Sequence, residues 1–97
     1  MSASESWEYA TARLAWAFEQ ECDHELDKFL LCIMANAMAE ADVLHIRFVA
    51  LLDAFRHSEI MLWRSLLRLD QNGLVFLKSF DTSGMLTFEM APLKVKP

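Results

Sequence analysis

No glycine or proline occurs before residue 73 of this 97-residue chain, so nothing in that long first part forces the backbone out of a helix. Apolar spacing then divides it into helices. The first is expected from about Ser4 to Gln20, where Trp7, Ala10, Leu14 and Phe18 recur at three- and four-residue intervals opposite Glu5, Glu8, Arg13 and Glu19. The second starts at the cap Asp23 and runs to about Ala39, with Leu26, Phe29, Leu30, Ile33, Met34 and Ala37 as its stripe. Ala35, Ala37 and Ala39 allow a neighbour to come close. A third helix is expected from Asp42 to Phe55, turning Leu44, Phe48, Leu51, Leu52 and Phe55 inward. Since neither Gly nor Pro marks its start, one long helix through Ala41 is the alternative.

Residues 58–90 change character. Ser58 is an N-cap candidate with Glu59 just inside the helix to complement its dipole, and Asn72-Gly73 supplies the left-handed residue that stops it. Leu62, Trp63, Leu66 and Leu69 form the expected core stripe of this fourth helix. Leu74 to Phe80 and Met85 to Met90 alternate around Asp81-Thr82-Ser83-Gly84, which reads as a β-hairpin. The fold class is mainly α with a C-terminal β-hairpin, in one domain over 1–97: a helix over 4–20 and a core over 23–91. Lys94 to Pro97 carry no packing signal.

Composition narrows the classes. The chain is 55% hydrophobic, with seven Phe, three Trp and six Met, more apolar mass than a small monomer hides easily. A homodimer or a protein partner is the expectation. The longest uncharged apolar run, Phe29 to Ala39, is too short to span a bilayer, and no secretory signal is legible at the N-terminus. Cys22 and Cys32, ten residues apart along helical pattern, are too distant to bridge if they share one helix, and fit reduced thiols in a cytoplasmic protein.

The net charge of −5 is uneven. Residues 1–44 hold nine acids against Arg13 and Lys28, whereas residues 45–97 hold seven bases against five acids. One part tolerates phosphate and the other repels it. This excludes a histone-like binder and leaves a sequence-specific one open.

Three helical segments, a stop at Leu66-Leu67-Arg68-Leu69-Asp70-Gln71-Asn72-Gly73-Leu74-Val75, and a hairpin resemble the winged helix-turn-helix of MarR-like and related small regulators. The resemblance covers about residues 27–91. It implies about four helices and a two-stranded wing, the last helix in the major groove, the wing over the adjacent backbone, and a dimer made by the first helix. Sequence-specific binding of double-stranded DNA by a small dimeric transcriptional regulator is the function so implied. Two features depart from the family. Ile60, Met61, Leu62 and Trp63 are consecutive and apolar in the recognition helix, and the wing tip carries Asp81 where a base is common. They favour the alternative, a winged-helix protein-interaction module, adaptor or inhibitor, that does not bind DNA itself.

With that core stripe, Met61, Arg64, Ser65 and Arg68 are expected to face outward. Arg64 and Arg68 become candidates for base edges, and Ser65 and the helix start at Ser58 for phosphates. Lys78 is the wing candidate, although a lysine there also protects an edge strand. Arg47 and Arg56 either position the third helix against a phosphate or pair with Asp53. Trp7, Leu14 and Trp16 are the candidate dimer residues; folding back over the chain's own core is their other reading. Cys22, His24, His45 and His57 lack the spacing of a zinc site, and no nucleophile or glycine-rich phosphate motif is present, so no metal, cofactor or catalytic residue is expected. The acidic run from Glu19 to Asp27 reads as solvated.

Overall fold

A computed structural model describes residues 3–22, 24–38 and 42–93, with side chains from Glu8 onward. Along the chain lie α1 (Ala3–Glu19), α2 (Glu25–Ala37), β1 (Val43–Arg47), α3 (Phe48–Phe55), α4 (Glu59–Gln71), β2 (Val75–Phe80) and β3 (Met85–Met90). The strands form one antiparallel sheet in the order β1-β3-β2. Helices and sheet close on a core that includes Leu30, Met34, Phe55, Leu62, Leu69 and Phe88. No described helix is long and apolar enough to cross a membrane.

The third helix is shorter than its apolar spacing implies, and the sheet is three-stranded rather than a hairpin alone. Val43-Leu44-His45-Ile46-Arg47 alternates, and β3 captures it: Val43 faces Glu89 and Arg47 faces Met85 across the ladder. Leu44 is buried and Ile46 half-buried, while Val43, His45 and Arg47 point outward. Leu44 and Phe48, four apart, satisfy helical and strand periodicity alike, and only the presence of β3 decides between them. At the junction the Phe48 N–H donates to the Gly84 carbonyl at 2.8 Å, so α3 starts directly against the hairpin tip.

The punctuation of α4 follows its residues. The Ser58 hydroxyl accepts the Met61 N–H at 3.3 Å. At the other end Gly73 has φ +74°, and the Leu74 N–H donates to Leu69 O while the Gly73 N–H donates to Asp70 O. That is a Schellman stop, which needs the left-handed residue glycine supplies.

The first helix folds back on its own chain. α1 packs on α2, with Ala17 buried and Leu14 and Trp16 half-buried against the core. Arg13, assigned by spacing to the wet face, is completely buried. Its guanidinium donates to the Ala91 carbonyl at 2.7 Å, to the Tyr9 hydroxyl at 3.2 Å and to Asp42, and lies 4.8 Å from the Trp16 ring centroid. Tyr9 completes the cluster by donating to Asp42 at 3.1 Å, and burial pushes its phenol pKa upward. Phe18, expected inward, is 63% exposed. The end of α1 has no cation of its own, and Lys28 supplies one by donating to the carbonyls of Phe18 and Gln20.

Candidate docking surface on α4 and β2

The buried stripe of α4 is Leu62, Ser65, Leu66 and Leu69: three of the four expected residues, with Ser65 in place of the half-buried Trp63. The cause is Asp27. It lies on the same face of α2 as Leu30, Leu31 and Met34, and all four are buried. A buried carboxylate must be paired and hydrogen-bonded, and α4 provides the partners. Ser65 donates to it at 2.8 Å, while the Arg68 Nε and a terminal nitrogen form a two-pronged pair at 2.8 Å each. This hydrogen bonding raises the pKa of Arg68 above its ordinary value.

Two of the candidate DNA contacts are thereby corrected in placement: Ser65 is fully buried and Arg68 is turned onto the protein's own acid, only 30% of its side chain exposed. The supposedly solvated acidic run likewise ends in a buried Asp27. Arg64 and Ser58 are exposed. Lys78 is exposed on β2, 4.0 Å from Glu89, at an irregularity in the β2–β3 register between Leu77 and Ser79. Of the dimer candidates, Leu14 and Trp16 are partly spent on the chain's own core, and the Trp7 side chain lies outside the described residues, as do Lys94 and Lys96. Arg47 and Arg56 are both exposed.

Met61 and Arg64 face outward as expected, and with them Ile60 and Leu67, the latter two in line with Arg64 at i, i+4 and i+7. Ile60 is 60% exposed and Leu67 59%. Beside them the inner face of β2 continues the apolar surface through Leu77 and Phe80, both exposed. Trp63 links helix to strand: its ring stacks on Phe48 at 5.5 Å and lies 5.9 Å from Phe80. Phe48 and Phe80 are 5.8 Å apart, which closes an aromatic triangle at the α3–α4–hairpin junction. Between α4 and β2 runs a groove of about 340 Å³, walled by Trp63, Leu66, Leu67, Asp70 and Leu77 and floored by Val75 and Phe88.

This surface is apolar with a sparse charged border, Arg64 and Asp70 on α4 and Lys78 on β2. It can bury hydrocarbon and offer an edge of backbone hydrogen-bonding groups; among the described residues it lacks the dense cationic lining that phosphate recognition uses. The expected core residues Leu62, Leu66 and Leu69 are buried, but spacing within α4 does not show that Ser65 and Arg68 turn onto the protein's own acid. A helical projection placing Asp27 with Leu30, Leu31 and Met34 reveals the buried acid that draws Ser65 and Arg68 inward. The chain matches no family model, no curated protein and no solved structure.

Proposed function

We propose that this chain is a protein-interaction module with a winged-helix-like order of elements, which docks a partner protein on the α4–β2 face and does not read DNA through α4. The carrying observation is that Arg68 and Ser65 are consumed by Asp27. The large side chains left outward on the presumed recognition helix include Ile60, Met61, Arg64 and Leu67, flanked by Leu77 and Phe80 of the hairpin. Exposed apolar groups gathered on one face mark association sites more often than phosphate sites. The winged-helix likeness rests on α2, α3 and α4 followed by the hairpin, with β1 joined to the same sheet. The acid at the wing tip fits docking better than contact with a phosphate backbone.

A photo-crosslinking residue placed at position 67 tests the reading in extracts of the source cells. Discrete protein adducts are expected, and they disappear when Ile60→Glu is added to the same chain; a probe at Glu8 on α1 gives none of them. Duplex DNA should not be retarded at low salt. Retardation that falls steeply with salt and vanishes in Arg64→Ala overturns the docking reading in favour of DNA binding through Arg64 and Lys78.

A further inference from the structure

The α4–β2 groove has an unusual wall: one side is a strand with a vacant edge. In the order β1-β3-β2 the outer side of β2 is paired with no described strand. Such an edge presents a row of unsatisfied N–H and C=O groups spaced for another extended chain. Directly alongside, Trp63 and Leu67 of α4 face Leu77 of β2 across a space of about 340 Å³, with exposed Asp70 as the charged group of its lining. That volume lies at the small end of ligand pockets, which run from about 300 to 1,000 Å³. A helix beside an edge strand is an arrangement that captures extended peptides: main-chain bonds to the edge give affinity, and the pocket selects alternate side chains.

We infer that β2 accepts an extended segment of a partner protein as an added strand, with a large apolar side chain in the α4–β2 groove and a Lys or Arg two residues away reaching Asp70. The inference rests on the docking reading and names the chemistry of its partner. Period-two alternation sends residues i and i+2 of an added strand to the same face, so both reach the groove side. Charge complementarity selects the basic residue, because the one ionisable side chain lining the groove is an acid. A second copy of this chain fits poorly. Antiparallel pairing of β2 with its own counterpart about its middle brings Lys78 onto Lys78, two like charges directly opposite.

A displayed library of random linear peptides, selected on the intact chain and counter-selected on Leu67→Lys, tests this. The expected winners carry an aliphatic or aromatic residue two positions from Lys or Arg. A synthetic winner should bind Leu67→Lys at least about tenfold more weakly. On Asp70→Lys the preference should change from basic to acidic peptides. N-methylation of the peptide amides that pair with the edge should abolish binding. Leu67 and Asp70 are exposed, so unchanged far-UV circular dichroism of both variants separates lost binding from lost folding. Selected peptides that bind as helices, or that are indifferent to both substitutions, overturn strand addition. Photo-adducts at position 67 without any selected peptide also overturn it and leave the docking surface standing. Absence of both removes the two readings together.

Discussion

At the hairpin tip one carboxylate organises the turn. Asp81 accepts the Ser83 N–H at 3.0 Å, the Ser83 hydroxyl at 2.6 Å and the Met85 N–H at 3.0 Å, while Gly84 takes φ +88°. Hydrogen bonds to the charged form favour it, first of all that from the Ser83 hydroxyl, so the Asp81 carboxyl is held below its ordinary value of 3.8. A depressed folded pKa contributes stability above the unfolded value that is lost as pH falls through the folded one. Accordingly, the amide resonances of Ser83 and Met85 should shift together on acidification, with a midpoint below 3.8. Asp81→Asn should abolish that titration. The acid at the hairpin tip is thus explained by the turn it builds. Its turn role was legible in Asp81-Thr82-Ser83-Gly84, because turn chemistry is local.

Between elements the decisive link is Asp27 to Ser65 and Arg68, which fastens α2 to α4 at one rotational setting. Removing one partner of a buried pair strands the other, so Asp27→Ala should destabilise the domain by about 3 kcal/mol in urea unfolding. Arg68→Ala should cost less, since its side chain is 30% exposed. Joint replacement of Asp27 and Arg68 by Leu and Met should recover most of the loss. Helix limits were readable here, as the Ser58 cap and the Gly73 stop show, because caps depend on adjacent residues. The inward placement of Ser65 and Arg68 was not, because it depends on a carboxylate 38 positions earlier in sequence than Ser65. β1 was hidden for a related reason: Leu44 and Ile46 need β3, some forty residues later, before alternation outweighs helical spacing.

Across the whole molecule, Arg13 makes α1 part of the domain. It joins the helix to Asp42, just before β1, and to Ala91, just after β3. Hydrogen exchange should therefore place α1 among the slowly opening segments, near the central strand β3. In Arg13→Ala the α1 amides should exchange much faster while β3 keeps its protection, a separation that mass spectrometry resolves by peptide. A uniform loss over both segments would instead mean that α1 and sheet unfold as one unit. The back-folding of this helix is one of two readings its aromatic residues allow, whereas nothing in the sequence marks the guanidinium as buried. A lone arginine among acids has the sequence pattern of a wetted face, and only three converging acceptors make its burial tolerable.

The same clasp sets an order of events during folding. β3 is the middle strand of the sheet, and the carbonyl that receives Arg13 belongs to Ala91. The unsheltered guanidinium and the unpaired β1 are therefore satisfied only once β3 and Ala91 are free to fold. A chain truncated before Met85 should be protease-sensitive, however many helices it retains.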